Sequence, residues 1–347
     1  MTTTQDGSSV SMISTAVTGP PVWRGEDLQN SDEWIVRLSE ADLDEIERAL
    51  AGVADTPVEQ IAKGDVRLPG LEDRFRHIAA TLQDGRGFVL LRGLPVPGRF
   101  DDDQAAKVFC AIGHYLGTPV SQSRRGELIG HLQNLGQPGA FQRRFATSEA
   151  TAFHNDRTDI VGLMCLRPAR LGGESLLVST MALYNIVVEE HPEYLPILYK
   201  PFAKDLMGEQ RQGQPGWEML PLFCYQSGYL SGTTSTSWFI RAMRFADVPR
   251  LSAEEMSCFL FLESLPTRPG LALPMMLQAG DIQFANNFTI MHTRTGFADD
   301  PDDPSHQRHL LRLWLSHFSG GRPVCEAFAN GRTGLLPTQR VGDDPPG

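Results

Sequence analysis

No apolar run in the 347-residue sequence approaches the roughly 20 residues that a membrane-spanning helix needs. The opening segment, MTTTQDGSS, also lacks the basic n-region and apolar h-region of a secretory signal. No membrane partner is expected, and the protein reads as cytoplasmic. Positive charge is in short supply as well: 31 Lys and Arg stand against 42 Asp and Glu, a formal charge of −11. Nucleic acids and anionic membrane surfaces are bound chiefly through basic patches, so neither is an expected partner. A small-molecule substrate remains. Cysteine is scarce and scattered. Cys110, Cys165, Cys224, Cys258 and Cys325 are odd in number and contain no Cys-x-x-Cys pair. Nothing in that spacing suggests a cysteine-ligated zinc site or a dithiol couple, and the cysteines read as buried free thiols in a reducing compartment.

What is present is an ordinary globular composition, 41% hydrophobic and 21% charged, on a chain long enough to bury a large core. Residues 1–20 are rich in Ser, Thr and Gly and read as a disordered tail, with order beginning near Trp23. Residues 21–330 read as one domain and 331–347 as a flexible C-terminal tail. Leu38–Leu50 has helical spacing behind a serine N-cap followed three residues later by an acid. Leu71–Leu82 and Asp101–Leu116 continue the helical pattern, and Gly85–Leu94 reads as a buried strand between glycines. From about Glu127 short strands dominate: 128–132, 150–156, 159–166, 175–178, 271–277, 281–284, 289–296 and 308–318. Helices starting behind Thr180 and Ser252 interrupt them. Short strands broken by Gly and Pro turns predict an α+β chain whose core is a double-sheet jelly roll with flanking helices.

Two His-x-Asp/Glu tripeptides occur, where roughly one is expected by chance in this composition. His191-Pro192-Glu193 follows a helical run, and its proline suits a helix end. His154-Asn155-Asp156 precedes an apolar strand. Residues i and i+2 of an extended chain share a face, so His154 and Asp156 can bind one ion while Asn155 points away. With a distant second histidine, His292, they would form the two-histidine, one-carboxylate set of non-heme Fe(II) oxygenases. In Arg308-His-Leu-Leu-Arg-Leu-Trp-Leu315, residues 308, 310 and 312 share one face of a buried strand. Two inward arginines need anions. Small carboxylates would suit their planar forks, and outward placement or internal Asp or Glu partners are the alternatives.

Five ordered blocks carry a resemblance: Phe153-His-Asn-Asp156, Leu166-Arg-Pro-Ala-Arg-Leu-Gly-Gly-Glu-Ser175, Gly280-Asp-Ile-Gln-Phe-Ala-Asn-Asn287, Met291-His-Thr-Arg294 and Arg308-His-Leu-Leu-Arg312. From about Gly85 to Phe318 the chain resembles the taurine dioxygenase (TauD/TfdA)/clavaminate synthase-like family of Fe(II)/2-oxoglutarate oxygenases. The resemblance implies a double-stranded β-helix. It implies His154, Asp156 and His292 as iron ligands, and 2-oxoglutarate and O2 as co-substrates. Arg308 would anchor the distal carboxylate of 2-oxoglutarate, with Ser175 assisting, and Arg312 would bind a carboxylate or sulfonate of the substrate. The implied reaction hydroxylates, or else desaturates or cyclises, a small anionic or amino-acid-derived metabolite of secondary metabolism, releasing succinate and CO2. An Asp/Pro-rich insert, residues 298–305, places Arg308 16 residues after His292, so the two arginines could exchange roles.

Neighbouring residues allow two readings each. Asn286 and Asn287 could reach 2-oxoglutarate or support a metal ligand, or form a turn. Trp238, in an aromatic-basic stretch, could cover substrate or sit in the core. Two other classes stay open: a zinc-dependent hydrolase and a non-catalytic metabolite-binding protein, both on a cupin-like fold.

Overall fold

The computed structural model describes residues 12–123, 126–134, 147–210, 213–300, 302–303 and 307–333. Its strands are β1 (Ile35–Arg37), β2 (Phe88–Arg92), β3 (Thr118–Val120), β4 (Ile129–Gln133), β5 (Ile160–Arg167), β6 (Leu171–Gly172), β7 (Ser175–Ser179) and β8 (Phe202–Asp205). β9 (Trp217–Leu220), β10 (Phe223–Gln226), β11 (Tyr229–Gly232), β12 (Leu273–Met275), β13 (Ile282–Asn286), β14 (Ile290–Arg294), β15 (Phe297–Ala298) and β16 (His309–Ser316) follow.

A seven-stranded sheet runs β1-β2-β13-β5-β16-β3, with β4 also paired to β16. A three-stranded sheet, β12-β7-β14, stands opposite it. The period-2 rule shows how the two meet. Val89 and Leu91, Met164 and Leu166, Ile282 and Phe284, and Leu311, Leu313 and Leu315 all belong to one core cluster that includes the N-terminal helices. The alternate residues Phe88, Leu90, Val161, Cys165, Ala285, Leu310 and Trp314 join Leu177, Leu273, Met275 and Ile290 of the smaller sheet in a second cluster. Both faces of the large sheet are therefore buried, which is why its strands read as almost continuous apolar runs.

Helices Glu40–Leu50, Glu72–Gln83 and Asp102–Leu116 supply the outer layer. Capping boxes at Ser39 and Asp101 fix the starts of the first and third, satisfying backbone donors that a helix leaves open. Glycine matters at the entry to β13. Gly280 has φ +84°, and a Cβ there would lie 1.7 Å from the Leu94 carbonyl oxygen. Gly280→Ala is expected to cost more than about 3 kcal/mol, read as a collapse of soluble yield or a lowered melting temperature. The next residue, Asp281, is 1% exposed and accepts from Arg92 Nε and Nη2 at 2.9 and 2.6 Å. That part of the Gly280–Asn287 block therefore serves the fold.

Four expectations change. Order starts ahead of Trp23: Tyr184 Oη donates to the Ile13 carbonyl at 2.6 Å, and the Val17 N–H donates to Asn185 Oδ1 at 2.8 Å. Residues 1–11 lie outside the described residues, as does the expected tail from 334 onward, while Glu326–Thr333 is a 3-10 helix. Residues 150–156 make no strand, only an isolated bridge between His154 and His292. Cys224 and Cys325 form a disulfide, so only Cys110, Cys165 and Cys258 are free, and these are buried. Among the described residues no helix is long and apolar enough to cross a membrane.

Candidate functional site

The interior between the two sheets is apolar except at one end, where strand alternation turns polar side chains inward. β16 contributes Arg312, with Arg308 immediately ahead of that strand, β14 contributes His292 and Arg294, β7 contributes Ser175 and β13 contributes Gln283. All six are at most 9% exposed. The chain ahead of β5 enters the same space. His154 and His292 exchange backbone hydrogen bonds of 3.0 and 2.9 Å, which holds their rings 4.4 Å apart.

Possible ligand atoms of His154, Asp156 and His292 all lie within 4.8 Å of one another. Each is prepared for a cation in a different way. His154 Nδ1 sits 2.9 Å from the Ala152 carbonyl oxygen. With the proton on that nitrogen, Nε2 keeps its lone pair, 3.7 Å from Asp156 Oδ1. Burial, then the charge of His154, pushes the His292 imidazole down to about 3, so it stays neutral, as a metal ligand must. Its Nδ1 is buried with no hydrogen-bond partner. Burial opposes ionisation of Asp156, but Arg312 first, then the two histidines and the Trp314 N–H, hold its carboxyl far below the usual range. A buried anion flanked by two neutral-capable imidazoles is a donor set that suits a divalent metal.

Asp156 is positioned on three sides. Trp314 Nε1 donates to Oδ2 at 2.8 Å, Arg312 Nη1 approaches Oδ2 at 3.4 Å, and its backbone N–H donates to Asn287 Oδ1 at 3.1 Å. The first two contacts engage Oδ2 and leave Oδ1 facing His154. Trp314→Phe is expected to weaken divalent-metal affinity about 10–100-fold, the usual effect of removing a hydrogen bond to a ligand, measured by Fe(II) or Co(II) titration.

The arginines divide. Arg308 is 6% exposed and lies over the Phe297 ring at 5.0 Å. Its guanidinium has no ion pair with any described residue. Burial, then the nearby Arg294 charge, pulls it down to about 10. A side chain at Gly173, where φ is +77°, would come within 3.2 Å of Arg308 Nε, so the glycine pair after β5 gives the guanidinium its space. Arg312 meets internal partners. Its Nε donates to Gln122 Oε1 at 2.7 Å, its guanidinium lies 4.8 Å over Trp314, and its Nη1 lies 3.4 Å from Asp156 Oδ2.

Other expected residues take definite places. Ser175 Oγ donates to Gln283 Oε1 at 2.8 Å. Asn287 supports Asp156, whereas Asn286, the last residue of β13, is bonded to the Leu82 carbonyl and the Phe288 N–H. Trp238 is half-buried on the short helix Thr236–Ala242 and has no hydrogen bond or ring contact to the triad among the described residues. Gln122, Trp314 and Arg294 were not singled out from sequence. Trp314 could have been, since it continues the 308, 310, 312 face by one more step of two.

A sequence model of the family described as "Taurine catabolism dioxygenase TauD, TfdA family" matches residues 54–314. FR-33289 synthase of Streptomyces rubellomurinus (strain ATCC 31215) is 28% identical over 336 residues, covering 94% of this chain and 97% of that protein. The taurine hydroxylase-like protein SAT17 of Stachybotrys chartarum (strain CBS 109288 / IBT 7711) is 28% identical over 309 residues, 84% of this chain and 77% of that one. Among solved structures, asparagine oxygenase with Fe(II), 2S,3S-3-hydroxyasparagine and succinate is similar at TM-score 0.63 and 17% identity, covering 82% of this chain and 94% of that one. The non-heme iron oxygenase OrfP with Fe, succinate and (3S)-hydroxy-L-Arg is similar at TM-score 0.60 and 14% identity, over 81% and 94%. At such identities the structural likeness speaks for the fold. The family match spans most of the chain, and the chain belongs to the TauD/TfdA dioxygenase family.

Proposed function

We propose that the chain is an Fe(II)/2-oxoglutarate-dependent dioxygenase that hydroxylates an unactivated C–H of a small anionic or amino-acid-derived metabolite. The observation that carries this is one interior holding both a cation-ready triad and a buried arginine without an anion. His154, Asp156 and His292 would hold Fe(II), and the orphaned Nδ1 of His292 supports the fit. Arg308 would take the distal carboxylate of 2-oxoglutarate bidentately. A zinc hydrolase would need the triad but not that second site. The opposed β12-β7-β14 sheet and large sheet support the double-stranded β-helix as the finer description of the fold.

Bound iron with 2-oxoglutarate and O2 supplies an oxidant by decarboxylating the 2-oxo acid to succinate and CO2, leaving one oxygen atom for the substrate carbon. The protein's own part is placement. Trp314 and Arg312 hold Asp156 in one rotamer, the Ala152 carbonyl sets the His154 tautomer, and the apolar wall of Leu177, Ile290 and Leu310 keeps bulk water out. An amino-acid or similarly charged substrate is supported by the hydroxyasparagine and hydroxyarginine products held by the two structural relatives.

The test is an oxygen-free titration of the metal-free protein with Fe(II) and then 2-oxoglutarate, followed in the visible. A charge-transfer band that requires both additions is expected. Iron bound without a band on adding 2-oxoglutarate would sink the reading.

A further inference from the structure

Next to Asp156 a cavity is lined by Asp156, Arg157, Lys204, Glu218, Thr233 and Asn287 among others. Its free space is about 40 Å³, room for about three water-sized groups. That space suits a small polar headgroup.

The wall carries the carboxylates of Asp156, Asp159 and Glu218 beside the cations Arg157 and Lys204, but the direct ion pairs among them are unevenly shared. In the β8-β9 pair, Lys204 stands directly opposite Glu218, the position in which a cross-strand ion pair would form. Glu218 turns instead to Arg157, at 3.2 Å, and Glu209 adds a second carboxylate to that arginine at 3.7 Å. Arg157 is thereby neutralised and Lys204 is left over. Lys204 is 6% exposed. Its Nζ has one long hydrogen bond, 3.3 Å to Thr233 Oγ1, and lies 5.9 Å from the Phe239 ring. It forms no ion pair with any described residue. A second donor on the same wall is also unfilled: Asn287 is 2% exposed, and its Nδ2 has no partner. An ammonium and an amide N–H₂, both buried and both under-bonded, are costly to keep dry unless an acceptor arrives.

We propose that Lys204 and Asn287 form the receptor for an oxyanion of the substrate, a carboxylate or a tetrahedral group such as a sulfonate, and that Lys204 is the residue selecting an acidic substrate. This rests on the function proposed above and assigns to Lys204 the anchoring role that the sequence suggested for Arg312. Asn287 bridges the two sites through one side chain, Oδ1 on the Asp156 backbone and Nδ2 toward the anion. The anion would thus be registered against the metal centre.

The experiment is calorimetric titration of oxygen-free full-length protein, saturated with Fe(II) and 2-oxoglutarate, with acetate and separately with inorganic phosphate. Saturable binding of at least one probe is expected, weakened about tenfold or more in Lys204→Met and retained in Lys204→Arg. Tighter acetate names a carboxylate, and tighter phosphate names a tetrahedral oxyanion. No saturable binding to wild type, or equal binding to Lys204→Met, would overturn the proposal. The melting temperature without anion supplies an independent readout. Lys204→Met should rise by about 2–4 °C, because a group kept for a ligand costs stability, and a fall would make the ammonium structural and overturn the assignment. The 2-oxoglutarate band in wild type is read separately, so failure of the oxygenase reading and failure of the anion site give different results.

Discussion

Replacing Arg308 with alanine is expected to raise the Kd for 2-oxoglutarate about 10²–10³-fold while the protein still binds one Fe(II). Losing one partner of a buried, hydrogen-bonded charge pair costs about 2–5 kcal/mol, and each 1.4 kcal/mol is tenfold. The upper part of that range applies because Arg308 is 6% exposed, without an ion pair among the described residues and packed against Phe297 and Gly173. Little solvent is available to replace the lost fork. Iron binding is spared because no triad residue bonds to Arg308. Arg308→Lys keeps the charge but loses bidentate geometry, and should fall between alanine and wild type. Titration of the 2-oxoglutarate band measures all three proteins. Equal affinity in Arg308→Ala and wild type would show that the co-substrate's distal carboxylate is held elsewhere, with Arg294 the neighbouring cation to examine next.

How far the sequence led follows from what each signal depends on. Helices with their own start signals were legible, because a serine followed three residues later by an acid satisfies local donors whatever the tertiary context; Ser39 and Ser252 both do so. The apolar strands β2, β5, β13 and β16 were legible because burial on both faces leaves few polar positions. The triad was legible as a set, and the structure brings all three residues together. The segment before β5 was not. His154 meets β14 at one bridge, and the Asp156 N–H goes to a side chain rather than a ladder. Reading it as a strand pointed to the pair of residues that the structure brings beside His292, but through the wrong local structure. The strands β8 to β11 are four residues each and carry no clear period, so the element that delivers Lys204 was missed. A lysine in Phe202-Ala-Lys-Asp205 reads as a solvated residue until its cross-strand carboxylate is seen to be taken by Arg157. The Cys224–Cys325 bridge spans 101 residues, and connectivity at that separation is not encoded locally. Arg312 shows the same limit. Strand alternation correctly turned it inward, but which internal group it meets depends on Gln122, from the loop after β3.

Asp156→Ala should abolish iron retention and with it succinate release, an effect larger than the about 10–100-fold of losing a supporting hydrogen bond such as that of Trp314. The carboxylate is the triad's only anion. Without it a divalent cation would face two neutral imidazoles with Arg312 nearby, so the electrostatic sign of the site reverses. The same substitution strands Arg312 and the Trp314 N–H, both of which now bond Oδ2. Breaking a buried pair from one side typically costs about 3–5 kcal/mol, so the metal-free variant should also melt below metal-free wild type. Asp156→Asn separates these effects. Its amide oxygen can still accept from Trp314, recovering part of the stability, while the absent charge leaves metal binding impaired. Iron content after desalting, succinate release and melting temperature on the three proteins give the comparison. If Asp156→Asn bound iron as tightly as wild type, the carboxylate would be serving Arg312 and Trp314 rather than a metal, and the triad would lose its assignment.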